Sequence, residues 1–197
     1  MKKQTILWDM DQCLARMVKS ILDHLNLKYK DVQFPEENVI TWSFWEKLPD
    51  KRIGAEAFEY MHRPGFFAQL EPYEIAVDVF KKTVDLGHNS IICTTPTRGL
   101  SRDQCIEDKK IWAEYFLGKE HVPNMIFTDK KTEVKGDVII DDNPKLTFEK
   151  NNIQFNNWLI IDHPYNQHIP ETAMEPVGRI MRDWSNWEEE FQKLDLI

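Results

Sequence analysis

The sequence predicts an α/β fold, an open parallel sheet with helices on both faces and a small helical region inserted after the first strand. Short apolar runs of strand length alternate along the chain with amphipathic segments of helical spacing, the pattern of parallel strands joined by crossover helices. Three of these apolar runs end in small polar or acidic side chains. Residues 31–70 instead contain many aromatic residues and several prolines, and they show no strand-like alternation, which predicts the inserted region.

Composition sets limits on the class of protein. The chain has 197 residues, of which 42% are apolar, enough for one buried core and an insertion. The formal net charge of -8 argues against long nucleic acid as a partner, because such binding depends on an excess of basic residues. Three cysteines without a CxxC pair indicate buried, reduced thiols. With no long apolar run and no signal peptide, we expect a soluble cytoplasmic protein with no membrane partner.

The elements follow in chain order. The first strand is predicted at Thr5–Trp8, and residues 16–30 form a helix whose apolar side chains share one side. The next helix, Tyr73–Leu86, stops at Gly87 and should turn Ile75, Val79, Phe80 and Val84 inward. Further strands are predicted at 90–94, 125–128, 137–141 and 158–161, and further helices at 103–117 and 144–150. The tail, residues 172–197, has helical apolar spacing at Val177, Ile180, Trp184, Trp187, Phe191 and Leu194.

Two pairs of carboxylates follow two of the predicted strands. Asp9 and Asp11 come directly after the first strand, and Asp141 and Asp142 end the strand at 137–141. Buried carboxylates this close together are costly unless a cation lies between them. The carboxyl ends of parallel strands are also where open α/β sheets bind ligands. The pairs therefore predict a site for a hard dication such as Mg²⁺, which prefers oxygen ligands. Either pair could alternatively form a turn or a helix cap.

Candidate phosphate ligands follow another strand and lie on the predicted helix 103–117. Thr94 and Thr95 end the strand at 90–94, where hydroxyl and backbone N–H groups can hold phosphate oxygens, although threonine is also an ordinary strand residue. Lys109 shares a helix face with Cys105, Trp112 and Phe116, so it should point inward and need an anionic partner. Lys110 is the second choice. Arg98 is either a phosphate clamp or a solvated loop residue.

The order Asp-x-Asp, Thr-Thr, Lys, Asp-Asp resembles the haloacid dehalogenase (HAD) superfamily of Mg²⁺-dependent phosphohydrolases, with a Rossmannoid core and a cap. The resemblance implies that Asp9 attacks phosphorus to form an aspartyl-phosphate and that Asp11 is the general acid and base. It implies Mg²⁺ bound by Asp9, Asp142 and the backbone carbonyl of Asp11, with Asp141 holding metal-bound water.

Over most of its length the chain resembles the 5'(3')-deoxyribonucleotidases within that superfamily. The matching segments include Asp-Met-Asp-Gln-Cys-Leu-Ala at residues 9–15, Ser43-Phe44-Trp45, and Phe66-Phe67-Ala-Gln-Leu-Glu-Pro at residues 66–72. The resemblance implies a nucleotide substrate, a preference for pyrimidines, a possible homodimer, and a core of residues 1–16 and 71–197 with a cap at 17–70. It implies a base slot lined by Phe44, Trp45, Phe67 and Met17. Gln12 departs from the family pattern, which has Gly after the second Asp.

Three alternatives remain open at this point. The protein could be a HAD phosphatase for another small phosphate monoester or for a 3'-phosphate end, although its aromatic-rich insertion argues against a bare sugar. It could be a non-catalytic nucleotide-binding protein, but such a protein would be expected to lose the carboxylates that this chain keeps. A phosphotransferase using the same aspartyl-phosphate is the third alternative.

Overall fold

The protein forms a six-stranded parallel sheet in the computed structural model, which describes residues 2–97, 101–144, 153–167, 178–181 and 184–197. The strands lie in the order β3-β2-β1-β4-β5-β6, and every adjacent pair is parallel. Their bounds are β1 Thr5–Trp8, β2 Asn89–Thr94, β3 Ile126–Phe127, β4 Val138–Asp141, β5 Asn157–Ile161 and β6 Gly178–Met181. The predicted α/β fold class is confirmed.

Five α-helices lie within the described part of the chain. They are α1 Met17–Lys28, α2 Lys51–Met61, α3 Glu74–Asp85, α4 Arg102–Phe116 and α5 Trp187–Lys193. The helix predicted at 144–150 falls almost entirely outside the described residues. None of the α-helices described combines the length and the apolar composition needed to cross a bilayer.

The core is built around β1, whose three apolar side chains Ile6, Leu7 and Trp8 are completely buried. The Trp8 ring packs edge-on against Phe80 of α3, at 5.3 Å between centroids. It also stacks nearly parallel on Trp184, at 5.8 Å. A strand buried this completely reads as a continuous apolar run, which explains why Thr5–Trp8 could be recognised from the sequence. All three cysteines are buried and free, as expected from their number and spacing.

The inserted region between β1 and α3 contains α1, α2 and short 3₁₀ turns. His24 of α1 stacks on Tyr60 of α2, at 3.8 Å between ring centroids. Gly54 lets α2 approach the 3₁₀ turn at Phe44–Lys47, because a Cβ at that position would lie 2.3 Å from the Trp45 carbonyl oxygen. The insertion therefore has packing contacts of its own, apart from those of the sheet.

The two connections to the insertion run side by side. Ala15 and Pro72 form an antiparallel bridge. The Arg16 N–H donates to the Glu71 carbonyl and the Tyr73 N–H donates to the Leu14 carbonyl, each at 2.8 Å. Because the chain leaves and re-enters the sheet region at nearly one point, the insertion is tied to the rest of the protein through these paired segments.

Two expectations from the periodicity were wrong. Ile180 does not belong to a helical stripe but lies on β6, which pairs parallel with β5. The spacing of apolar residues in so short a segment does not separate helix from strand, and pairing with β5 satisfies backbone groups that a helix would leave at the sheet edge. Ile75 is 53% exposed rather than inward, because α3 begins at Glu74 and turns Ala76, Val79 and Phe80 toward the core.

Candidate active site

Carboxylates from β1 and β4 meet at the carboxyl edge of the sheet. The two strands pair in register, with Trp8 opposite Ile140, and the Asp9 N–H donates to the Ile140 carbonyl at 2.9 Å. Asp9, Asp141 and Asp142 are all buried. The parallel pairing thus brings the two predicted acidic motifs together, although they are far apart in the chain.

Lys131, which we did not identify as a site residue from the sequence, links the two motifs. It is buried, and its Nζ lies 2.7 Å from Asp9 Oδ2 and 2.7 Å from Asp141 Oδ2. Burial acts to lower the pKa of the Lys131 ammonium, but the charges of Asp141 and Asp9 outweigh it and raise that pKa well above its ordinary value. Lys131 is therefore a fixed positive charge between two carboxylates.

Sequence reasoning did not single out Lys131, because it is one of two adjacent lysines and no pattern there shows which of them points inward. A signal was nevertheless present, since this lysine follows the short strand β3 and strand ends were already the basis for choosing Asp9 and Thr94. Its neighbour Lys130 is the solvent-facing member of the pair and forms an ion pair with Glu133 at 3.0 Å.

Asp142 is the buried carboxylate whose contacts are neutral. The Tyr165 hydroxyl donates to its Oδ2, and the Cys13 thiol lies 3.8 Å from its Oδ1. Burial, followed by the charges of Asp141 and Asp9, raises the pKa of Asp142 well above its ordinary value. A buried carboxylate in this situation favours a cation beside it. One ligand atom each from Asp9, Cys13 and Asp142 lie within 4.8 Å of one another.

Asp141 differs from Asp142 in how its oxygens are used. Its Oδ2 contacts Lys131, and its Oδ1 accepts a hydrogen bond from the backbone N–H of Asn143 at 2.8 Å. Burial raises the pKa of Asp141, while the Lys131 charge opposes that rise. Of the two adjacent carboxylates, Asp142 is the one that protein cations leave open to a metal.

Lys109 of α4 joins Asp11 to the end of β2. It is completely buried, and its Nζ donates to Asp11 Oδ2 at 2.7 Å, to Thr94 Oγ1 at 2.8 Å and to the Thr95 carbonyl at 3.1 Å. Burial raises the pKa of Asp11, Lys109 opposes this, and Asp9 adds to it. The other carboxylate oxygen of Asp11, Oδ1, is buried without a hydrogen-bond partner.

The remaining phosphate candidates have different positions. Lys110, the second choice, faces outward and pairs with Glu107 at 2.7 Å. The hydroxyl of Thr95 donates to the Thr128 carbonyl at 2.9 Å, so it joins the loops after β2 and β3. Arg98 lies outside the described residues.

The four residues predicted to contact a base occupy different places in and around the insertion. Phe67 is buried, and Lys109 Nζ lies 5.0 Å from the centroid of its ring. Phe44 is also buried and contacts the half-buried Trp45 edge-on, at 5.5 Å between centroids. Met17 is half-buried at the start of α1. Of the four, Phe67 is thus the one placed beside a phosphate candidate, Lys109. Base binding by these four residues remains a prediction.

Gln12 takes the left-handed backbone conformation that the Gly of the family pattern would adopt without strain, with φ of 59°. The Gln12 side chain stabilises the start of α1, because its Oε1 accepts a hydrogen bond at 2.8 Å from the Val18 N–H, which lies in the first turn of that helix. Its carbonyl accepts a hydrogen bond from His163 Nε2 at 2.8 Å. The loop keeps its turn with a side chain in place of Gly.

Comparison with known proteins shows which fold and which family the chain shares. A solved HAD family hydrolase from Deinococcus radiodurans superimposes with a TM-score of 0.58 over 99% of this chain and 97% of its own, at 11% identity, which supports the fold. A Bordetella bronchiseptica protein predicted to be a 5'(3')-deoxyribonucleotidase is 31% identical over 187 residues, covering 92% of each chain. The human cytosolic-type 5'(3')-deoxyribonucleotidase is 33% identical over 128 residues, 64% of this chain and 61% of that one.

The family model described as "5' nucleotidase, deoxy (Pyrimidine), cytosolic type C protein" matches residues 3–189. That span includes both acidic motifs, the insertion and the two buried lysines. The chain therefore belongs to the 5' nucleotidase, deoxy (pyrimidine), cytosolic type C family, and it shares its fold with the solved HAD family hydrolase.

Proposed function

We propose that the protein is a Mg²⁺-dependent 5'(3')-deoxyribonucleotidase that removes phosphate from deoxyribonucleoside monophosphates, with pyrimidines preferred. The observation that carries this proposal is the contact of Lys131 with Asp9, 2.7 Å apart, beside the buried Asp142. A carboxylate held by a buried cation at the end of β1, next to a metal-binding carboxylate, suits attack on phosphorus. The substrate class comes from the family to which the chain belongs.

The donor set fits Mg²⁺. We propose that Asp9, Asp142 and the backbone carbonyl of Asp11 hold the ion, with Asp141 reaching it through water, because hard dications prefer oxygen ligands. Asp141 accepts hydrogen bonds from Lys131 and from the Asn143 N–H. When bound, Mg²⁺ would offset negative charge on the phosphate and on the attacking carboxylate.

The chemistry assigns separate tasks to the first two carboxylates. Asp9 attacks phosphorus, the bond from phosphorus to the nucleoside oxygen breaks, and an aspartyl-phosphate forms on Asp9. Asp11 donates a proton to the departing oxygen. Ionised Asp11 then takes a proton from the water that attacks phosphorus and releases Asp9. Burial raises the pKa of Asp11, which makes the carboxyl easier to protonate, while the Lys109 charge opposes that rise.

Phosphate binding falls to groups beside these carboxylates. Lys109, hydrogen-bonded to Thr94 and Asp11, supplies a buried charge that can bind phosphate oxygens in place of its present contacts. Lys131 supplies a second one. Thr94 and the backbone N–H groups after β2, with Thr95, would complete the set. Arg98 remains a candidate on its sequence position alone.

The insertion, residues 17–70, would act as a cap that recognises the nucleoside. We propose that Phe67 stacks on the base or packs against the sugar next to Lys109, with Phe44, Trp45 and Met17 forming the rest of an apolar slot. Its contact with Lys109, 5.0 Å from the ring centroid, supports a place near the phosphate for Phe67. We further propose a cytoplasmic location and a homodimer. Sedimentation of the purified protein would test the homodimer.

Phosphate release with Mg²⁺ tests the function across 5'- and 3'-deoxyribonucleoside monophosphates, the matching ribonucleotides and simple sugar phosphates. We expect preference for deoxypyrimidine substrates and loss of turnover in Asp9→Asn. Asp23→Asn, which alters an exposed carboxylate on α1, is the matched control and should retain activity. Activity on sugar phosphates alone would discard the base slot, and substantial turnover by Asp9→Asn would discard the covalent mechanism.

A further inference from the structure

Cys13 brings a sulfur atom into the carboxylate cluster. The chain turns sharply after β1, with the N–H groups of Leu14 and Ala15 both donating to the Met10 carbonyl at 2.8 Å. This turn buries the Cys13 side chain completely and places its Sγ 3.8 Å from Asp142 Oδ1. The sulfur therefore lies beside the carboxylate proposed to bind the metal ion.

The spacing of the donor atoms suits a single cation that accepts both sulfur and oxygen. Ligand atoms of Asp9, Cys13 and Asp142 all lie within 4.8 Å of one another. A tetrahedral zinc ion with ordinary bond lengths holds a sulfur and an oxygen about 3.6 Å apart. The distance between Cys13 Sγ and Asp142 Oδ1, 3.8 Å, is close to that value. The pair needs little rearrangement to bind one ion.

The charge around Asp142 also indicates a cation at this point. Its side-chain oxygens contact two neutral groups, the Tyr165 hydroxyl and the Cys13 thiol, while Lys131 contacts Asp9 and Asp141 instead. A buried carboxylate whose direct side-chain contacts are neutral is costly to ionise. Mg²⁺ would relieve that cost through oxygen ligands alone, leaving the sulfur unused.

We propose that Asp9, Cys13 and Asp142 bind a thiophilic divalent cation, Zn²⁺ or Cd²⁺, in place of Mg²⁺, and that this ion inhibits the enzyme. Binding forms a metal–sulfur bond, and the thiol proton is released to solvent. Thiolate ligands favour Zn²⁺ over Mg²⁺. Inhibition follows because the donors would carry three negative charges, against two in the proposed Mg²⁺ site, so the bound ion would offset less of the charge on phosphate. The inhibitory part rests on the proposed function.

Cadmium titration of the reduced, metal-free protein tests the sulfur ligand directly. A cadmium–thiolate bond gives an ultraviolet charge-transfer band that carboxylate ligands do not give. We expect this band in the wild type and in Cys105→Ser, and its loss in Cys13→Ser. Cys13→Val, which keeps an apolar side chain in the buried position, provides a second variant without sulfur, and circular dichroism checks that each is folded.

The zinc affinity of Cys13→Val, measured by competition with a chelating dye, should be lower than that of the wild type. Losing a residue that only supports a metal ligand typically costs ~10–100-fold in affinity, and losing a direct ligand should cost at least as much. A missing band in the wild type, or an unchanged band and zinc affinity in Cys13→Val, would overturn the proposed site. Phosphate release with Mg²⁺ is measured on the same wild-type sample, with and without zinc.

The outcomes separate the two proposals. A cadmium band that requires Cys13, in a protein without phosphatase activity on any substrate, would remove the proposed function and keep the metal site. Mg²⁺-dependent activity without the cadmium band would keep the proposed function and remove the site that includes Cys13. Equal inhibition of wild type and Cys13→Val by zinc would refute the inhibitory role of the sulfur.

Discussion

The Nζ atom of Lys131 lies 2.7 Å from Asp9 Oδ2, which places a buried ammonium directly against the carboxylate proposed to attack phosphorus. The same atom contacts Asp141, so one lysine joins the ends of β1 and β4. This contact can both orient Asp9 and neutralise part of the charge that phosphate would meet. It makes Lys131 the first residue to test.

Replacing Lys131 with Met should impair both activity and stability. Loss of a preorganised charge at a reacting centre typically costs about 10²–10³ in turnover. Loss of one partner from a buried ion pair costs about 3–5 kcal/mol of stability, because the remaining carboxylates are left uncompensated. Phosphate release and urea unfolding measure the two effects. Lys130→Met, which removes the exposed neighbour, is the control, and equal effects from the two variants would contradict the assignment.

Lys109 and Lys110 are adjacent in the chain, but Lys109 is buried and Lys110 faces outward. Lys109→Met removes a buried ammonium that contacts Asp11 and Thr94, and we expect a loss in kcat/KM of about 10²-fold or more. Lys110→Met removes an exposed ion pair with Glu107, so its effect should remain within about twofold. Steady-state kinetics on one nucleotide compares the variants. Comparable losses in the two variants would contradict the assignment of Lys109, and not Lys110, as the phosphate ligand.

Because the backbone of Gln12 is strained, replacing this residue with Gly should destabilise the protein less than replacing it with Ala. Gln12→Ala keeps the left-handed backbone strain and loses the hydrogen bond to the first turn of α1, so we expect destabilisation of about 1–2 kcal/mol. Gln12→Gly loses the same bond but relieves the strain, and should therefore unfold nearer to the wild type. Chemical denaturation ranks the three proteins. If Gln12→Gly were the least stable of the three, relief of backbone strain at this position would be smaller than the cost of ordering a Gly on folding.

The raised pKa values of the buried carboxyls predict how metal-free protein responds to pH. Burial raises the pKa of Asp11 and of Asp142, and it raises that of Asp141 to about 6. A carboxyl whose pKa is higher in the folded state binds its proton more tightly there, so its stabilising contribution is complete at low pH. The contribution is lost as pH rises through the folded pKa. Metal-free protein should therefore become less stable above about pH 4, the ordinary range of Asp.

Magnesium should counter that loss. The ion binds ionised carboxylates, so the increase in Tm that Mg²⁺ produces should grow as pH rises from about 4 through about 6. Thermal unfolding with Mg²⁺ or with EDTA across this range provides the measurement, and Asp142→Asn is the control that should reduce the shift. An increase in Tm that is independent of pH would argue against metal binding by these carboxyls.

Local patterns were sufficient to predict much of the protein. Each strand near the site is a short apolar run, and Asp9, Thr94 and Asp141 follow such runs directly, so their meeting at one sheet edge could be expected from parallel pairing alone. The same reasoning failed for the tail. Ile180 fits helical spacing as well as it fits a strand, and the partner that makes β6 a strand, β5, is supplied by the fold.

The sequence by itself determined the α/β class, the two acidic motifs and the inward direction of Lys109, because these depend on periodicity within one strand or helix. Only the tertiary structure decided that Lys131 bridges Asp9 and Asp141, that the Asp142 contacts are neutral, and that the Cys13 sulfur lies beside them. These relationships join side chains from separate loops, and their distances depend on how the loops after each strand fold back over the sheet edge. No pattern within a single segment carries that information.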